Sequence, residues 1–185
     1  MVTHSYKKSF FQDRDCSIST ARAGNVIGGG DFSNDRIIPD CVRACKDGKN
    51  IIVRNPYSTR PYQHVLEPVF AYLMIVEETY KDKSKASWYN VGPDDCDCVT
   101  TGDLVDMFCS KWGNMTRVDR SDPNAPHEAD FLKLDSSKLK KTFGWTPTWH
   151  IDETMNRICE WNRVWFEGGS IPAIMDKQIT DFINT

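Results

Sequence analysis

The chain has 185 residues, 23 basic and 26 acidic side chains, a formal net charge of −3 and an apolar fraction of 39% with six Trp, nine Phe and six Tyr. That length holds one domain, or a large domain and a piece of another, and the aromatic content excludes a disordered chain. The mixed charge argues against a nucleic-acid surface, no apolar run approaches the roughly 20 residues of a membrane-spanning helix, no apolar stretch follows the basic residues after Met1 as in a secretory signal, and seven cysteines without framework spacing read as reduced thiols of a cytoplasmic protein.

In chain order, Val2 to Asp13 is predicted as a helix with Tyr6 and Phe10 one turn apart. Its pattern is already running at Met1 with no capping residue before it, as in a helix cut in its middle. Ile18 to Gly24 is a short strand candidate running into a glycine loop, Asn25 to Asp31. Asp35 is placed to cap a helix whose apolar positions Ile37, Ile38, Cys41, Val42 and Cys45 fit a period of 3.6, and Gly48 ends it. Ile51-Ile52-Val53 is a strand broken by Arg54-Asn55-Pro56. Pro61 to Val65 is a second extended piece, followed by an apolar helix from Pro68 to Tyr80.

Trp88 to Gly92 reads as a strand ending in a Gly-Pro turn. Thr100 and Asp103 form a capping-box pattern before Leu104, Val105, Phe108 and Trp112, closed by Gly113. Ser136 to Phe143 is a short helix stopped by Gly144. Asp152 is placed to cap the next, with Met155, Ile158, Trp161 and Trp165 on one face, and a last helix carries Met175, Ile179 and Phe182. Alternating helices and strands point to an α/β architecture.

Few motifs carry chemistry by spacing alone. Gly28-Gly29-Gly30 follows a strand candidate, but it is not a dinucleotide fingerprint and its helix starts several residues later, so a flexible turn is the simpler expectation. Arg54 and Arg60 sit beside strands, where a guanidinium fork can grip phosphate oxygens or simply lie in solvent at a turn. Cys96-Asp97-Cys98 is shorter than the Cys-x₂₋₄-Cys of zinc pairs, and Cys41 and Cys45 lie on an apolar stripe, so no metal is expected. Asp94, Asp95 and Asp97 read as a solvated loop. His4, His64, His127 and His150 neighbour no nucleophile motif.

Taken together, several stretches resemble the extended short-chain dehydrogenases/reductases that act on nucleotide sugars. They are Arg22-Ala-Gly-Asn25-Val-Ile-Gly28, Asp35-Arg-Ile-Ile-Pro39-Asp, Ile52-Val-Arg54-Asn-Pro56, Arg60-Pro-Tyr-Gln-His-Val-Leu-Glu-Pro68, Tyr89-Asn-Val-Gly-Pro93, Pro126-His127-Glu-Ala129 and Leu132-Lys-Leu-Asp-Ser-Ser-Lys138. Within that family the Arg54-Asn55-Pro56 and His127-Glu128-Ala129 segments are most similar to the CDP-glucose 4,6-dehydratases. The resemblance implies removal of water from CDP-D-glucose to give CDP-4-keto-6-deoxy-D-glucose, with NAD recycled in the site. It implies that Asn25 touches the nucleotide sugar and that Arg60 clamps its pyrophosphate. Arg36, Ile38, Pro39, Val53, Arg54 and Asn55 would line the nucleotide pocket, His127 would lie near phosphate or ribose, and Ala23, Gly24, Asn25 and Val26 would pass beside the nicotinamide.

The implied fold is the last strands of a Rossmann-type parallel sheet (about 1–35 and 62–92) interleaved with a small α+β substrate-binding domain (about 36–61 and 93–185). A homo-oligomer is a further implication, because relatives pair through Rossmann helices. No tyrosine has a lysine four residues on, so the family's Tyr-x-x-x-Lys pair and its glycine-rich NAD loop are missing from these residues. Met1 would fall just past that lysine, and the chain would match the C-terminal half. A standalone nucleotide-sugar-binding module, or a piece of a related epimerase or dehydratase, are the alternative readings.

Overall fold

The computed structural model describes residues 2–121 and 131–185. The element order is α1 (Val2–Phe10), β1 (Thr20–Ala23), β2 (Asn25–Ile27), α2 (Ile37–Asp47), β3 (Ile51–Val53), β4 (Thr59–Arg60), β5 (Tyr62–His64), α3 (Leu66–Lys81), β6 (Trp88–Val91), β7 (Val99–Thr100), α4 (Thr101–Trp112), β8 (Arg117–Asp119), α5 (Ser137–Phe143), α6 (Ile151–Phe166) and α7 (Ile171–Ile183). The strands pair two by two. β1 runs parallel to β6 (Ala23 opposite Val91), β2 parallel to β5 (Asn25 opposite Tyr62) and β3 parallel to β8 (Val53 opposite Asp119), while β4 lies antiparallel to β7. Parallel pairs joined through helices give the α/β architecture expected from the sequence.

Two cores hold these layers. The larger gathers Ile38, Cys41 and Val42 of α2, Ile51 and Val53 of β3, Leu104, Val105 and Phe108 of α4, and Met155, Ile158 and Cys159 of α6. The smaller packs Ala71 and Ile75 of α3 against Tyr89, Val91, Leu139 and Trp145. The period-3.6 stripe of α2 is therefore core, and burial pushes the Cys41 thiol well up and the Cys45 thiol up to about 12. Such thiols carry almost no thiolate at neutral pH. In the native protein a thiol reagent at pH 8 should label the exposed Cys16 and Cys96 and spare Cys41 and Cys45. Cys41→Ala should lower the unfolding free energy by about 0.5–3 kcal/mol in a urea titration. Rapid native labelling of Cys41 would contradict this packing.

Several local expectations change. Asn25–Ile27 is a strand, because its backbone pairs with β5 instead of continuing as loop. Asp35 does not cap α2. It takes a left-handed φ of 58°, its carboxylate turns to Arg54 at 2.7 Å, and Arg36 occupies the cap position without a side-chain bond. Asp152 does not cap α6 either: it lies inside the first turn and pairs with Lys111. In α7 the inward face is Ile174, Gln178 and Phe182, with Met175 and Ile179 49% and 40% exposed. Gln178 takes a core-facing place because its Nε2 donates to the Arg157 carbonyl at 2.8 Å. The Thr100 cap is as expected, with its hydroxyl accepting the Asp103 N–H at 3.1 Å.

The glycine segment is tightly packed and not a flexible turn. A Cβ at Gly29 would stand 2.2 Å from the indole Cγ and Cδ2 of Trp161, and one at Gly28 would stand 2.9 Å from a methyl of Val65. These positions lack side chains because α6 and the end of β5 lie against them.

Candidate functional site

β1 and β6 end side by side at Ala23 and Val91. The chain then shifts partners within two residues. The Gly24 N–H donates to the Val91 carbonyl at 3.1 Å, and the Asn25 N–H donates to the Pro61 carbonyl at 3.0 Å. A Cβ at Gly24 would lie 2.6 Å from that Pro61 oxygen, so the crossing requires glycine. The buried Gln63 donates its Nε2 to the Val91 carbonyl at 2.9 Å, pinning the same corner. This point is the carboxyl end of β1 and β6 and the amino end of β2 and β5, and strand partners change here; switch points are where open α/β sheets bind ligands. Ala23, Gly24, Asn25 and Val26 form one wall of it. Arg60 joins that wall through the backbone, because the next residue is the Pro61 that receives Asn25.

A second group assembles at the start of α2 and the end of β3. The Arg54–Asp35 pair ties these two ends together at 2.7 Å, and Arg36 lies 3.7 Å from Asp31. Serine N–H and hydroxyl contacts from Ser33, with the charges of Arg36 and Arg43, hold the Asp31 carboxyl below its usual range against the opposing effect of burial, the largest single influence. Arg54 and Arg36 expose most of their side chains. Ile38 and Val53 are core side chains at 2% and 1% exposure, and Pro39 is buried as well. Asn55 accepts the Ser58 hydroxyl on its carbonyl at 3.4 Å.

Residues on either side of 122–130 bond to β3, β4 and the turn between them. The Arg120 N–H donates to the Val53 carbonyl at 2.9 Å, the Tyr57 hydroxyl donates to Asp119 at 3.1 Å, and the Leu132 N–H donates to the Thr59 carbonyl at 3.1 Å. His127 itself lies outside the described residues, as does Met1.

Over 190 aligned residues the chain is 38% identical to the CDP-glucose 4,6-dehydratase of Salmonella typhimurium, an alignment that takes in all of this chain and 53% of that protein. This chain is similar to the C-terminal half of that CDP-glucose 4,6-dehydratase. Solved structures share its fold. The UDP-glucuronic acid 4-epimerase of Bacillus cereus, in complex with UDP-glucuronic acid and NAD, superposes with a TM-score of 0.72 at 16% identity over 88% of this chain and 49% of that one. The dTDP-glucose 4,6-dehydratase of Bacillus anthracis, in complex with NAD, superposes with a TM-score of 0.67 at 17% identity over 88% and 48%. The chain thus spans about half the length of the CDP-glucose 4,6-dehydratase and of the epimerase and dehydratase structures it matches. No protein-family model matches it. Among the described residues no helix is long and apolar enough to cross a membrane.

Elsewhere the structure gives partners to acidic residues that sequence patterns passed over. Asp97, read as part of a solvated loop, is 4% exposed. Its Oδ1 accepts the Ile151 N–H at 3.0 Å, making it the cap of α6 from across the fold, and its Oδ2 lies 2.7 Å from His150 Nδ1. Glu67, at 1% exposure, accepts the Thr148 and Trp149 N–H groups on one oxygen at 3.0 and 2.7 Å. Burial pushes its carboxyl up to about 7. His64, packed edge-on to Trp149, is lowered to about 4 by burial and by the Arg157 charge. Each of these contacts joins residues distant along the chain, which spacing within a motif does not encode.

Proposed function

We propose that this chain forms the nucleotide-side wall of a CDP-D-glucose 4,6-dehydratase site, acting on CDP-D-glucose to give CDP-4-keto-6-deoxy-D-glucose and water in the cytoplasm. The observation that supports this reading is the bond from the Asn25 N–H to the carbonyl of Pro61, the residue after Arg60, where β1 and β6 end, in a chain similar along its length to part of such a dehydratase. Residues 1–35 and 62–92 belong in this reading to the nucleotide-binding layer, and 36–61 and 93–185 to the substrate side.

Asn25 presents its amide to the sugar, and Arg60 offers a planar fork to the pyrophosphate, a charge-assisted bidentate contact. Arg36 and Arg54, exposed at the start of α2 and the end of β3, would add positive potential for the diphosphate. Bound NAD supplies hydride transfer to and from the sugar. The Ala23–Val26 crossing suits its nicotinamide end, since Gly24 leaves the backbone bare at the strand ends. The resemblance assigns His127 to the phosphates or the ribose.

Arg60→Ala should weaken CDP binding to the chain by about 1.5–3 kcal/mol, the worth of a hydrogen bond to a charged group. Arg60→Lys should recover part of it, because a point charge cannot reproduce the fork. Calorimetry showing equal affinities for wild type and both variants would remove Arg60 from the site.

These 185 residues also contain no Tyr-x-x-x-Lys pair to relay the proton from the sugar C4 hydroxyl. Loss of a single acid or base group costs a factor of about 10²–10⁴ in rate. The purified chain, mixed with CDP-glucose and NAD, should give no 4-keto product above a protein-free blank. Product formation would show that the proton relay lies within these residues after all.

A further inference from the structure

We propose that Cys96, Asp97 and His150 form a binding site for a divalent transition metal of the zinc class, apart from the nucleotide corner. Their ligand atoms, one thiol sulfur, one carboxylate oxygen and one imidazole nitrogen, all lie within 4.8 Å of one another. Around one tetrahedral zinc ion such atoms stand about 3.2–3.7 Å apart, given bonds near 2.0–2.3 Å. An ion would therefore have to part the His150–Asp97 pair, now 2.7 Å apart, and draw in the Cys96 sulfur, both on exposed side chains facing a fixed carboxylate. Cys96 is exposed on a short 3-10 turn, Asp95–Asp97, and His150 exposes 61% of its side chain.

The third ligand is fixed in advance. Asp97 is buried and anchored by the Ile151 N–H through Oδ1, which leaves Oδ2 directed at His150. A metal would take the place of the proton now shared between Oδ2 and Nδ1. The donor set of one sulfur, one nitrogen and one oxygen suits zinc, cobalt or cadmium and disfavours magnesium or calcium, which prefer oxygen alone. Thiolate and carboxylate together cancel the charge of a divalent ion, so the site remains neutral at the positive N-terminal end of α6. Three protein ligands leave the fourth position to water. Coordination would release the Cys96 thiol proton to solvent, the Nδ1 proton of a neutral His150 would move through solvent to Nε2 (an imidazolium would release it), and no oxidation state would change.

The spacing Cys96-x-Cys98 is too short for a two-cysteine zinc pair, and this site does not use Cys98. That thiol instead donates to the Asp94 carbonyl at 3.7 Å. The site would clamp the turn before β7 to the start of α6.

The test is titration of the metal-free chain with Zn²⁺ by calorimetry and with Co²⁺ by visible absorption, using wild type, Cys96→Ser, His150→Gln and, as control, Cys98→Ser. Wild type and the control should bind one ion per chain, and Co²⁺ should give a tetrahedral spectrum with a thiolate charge-transfer band. Removing a ligand should weaken binding by more than the roughly 10–100-fold typical of losing an outer partner. Zn²⁺ should also protect Cys96 from alkylation, read by mass spectrometry, and leave Cys16 reactive. Absence of one-to-one binding, unchanged affinity in both ligand variants, or equal loss in Cys98→Ser would each overturn the site. Circular dichroism of the metal-free variants shows whether they are folded. A ligand variant that is not is replaced by alkylation of wild-type Cys96, where lack of zinc protection overturns the proposal.

Discussion

Gly29→Ala should destabilise the protein by about 2–3 kcal/mol, the upper part of the range for forcing one extra methyl into a filled interior. The added carbon would stand 2.2 Å from two atoms of the Trp161 ring and 2.8 Å from its Cβ, close to where the side chain leaves α6. A clash so near the backbone cannot be relieved by swinging a flexible tip, so either α6 or the segment after β2 must shift. Trp161 is 7% exposed and has little room of its own. The measurement is urea unfolding of wild type, Gly29→Ala, Trp161→Leu and the double variant. Because the two residues touch, the costs should not add, and the double variant should be more stable than the sum of the single losses implies. Additive losses would mean that Gly29 is glycine for some reason other than the indole.

Glu67→Gln should remove a pH dependence on the order of 3 kcal/mol. Burial, the largest cause, raises the Glu67 carboxyl to about 7 from its ordinary 4.5, opposed by the Trp149 and Thr148 N–H bonds and the His150 charge and assisted by Asp97. Between those values the folded protein keeps a proton that the unfolded chain has released. Stability therefore falls as pH rises from about 4.5 to about 7 and stays lower above it. A shift of this size corresponds to roughly 3 kcal/mol at 1.36 kcal/mol per pH unit.

Glutamine still accepts both N–H groups through its Oε1 and never ionises. The variant should match wild type near pH 5 and exceed it at pH 8. His64 acts in the opposite sense: its lowered folded pKa of about 4 makes stability rise with pH up to about 6.5. The difference between the two proteins at each pH is the informative quantity, because His64 is common to both. Equal pH profiles would mean that Glu67 is ionised in the folded protein at neutral pH.

Features governed by neighbours along the chain were legible in the sequence. The apolar period of α2, the Thr100 cap and the glycine at the end of α5 depend on residues within a turn or two, and each is where the pattern placed it. Features governed by distant partners were not. Asp152 has the right residue type and place to cap α6, yet the bond goes to Asp97, which approaches from the turn before β7. Likewise Gly28 and Gly29 read as a loop because nothing nearby shows that Val65 and an indole fill the space above them. For the candidate site, Arg54 and Arg60 stand out as residue types near strand ends, while Asn25 is implied only by the family resemblance. Only the fold shows that the Asn25 N–H bonds the Pro61 carbonyl next to Arg60, and that Ile38 and Val53 are core side chains.

The pairing of the strands also bears on how the chain reaches this state. Thr20 must find Trp88, Asn25 must find Tyr62, Ile51 must find Arg117 and Arg60 must find Val99, so no described strand pair is closed by a tight hairpin. Long loops have to be closed before any ladder bond compensates for the lost chain entropy, which slows folding relative to proteins built from local contacts. On a ribosome β1 would emerge well before its partner β6 exists, leaving its backbone unpaired until α3 has been made.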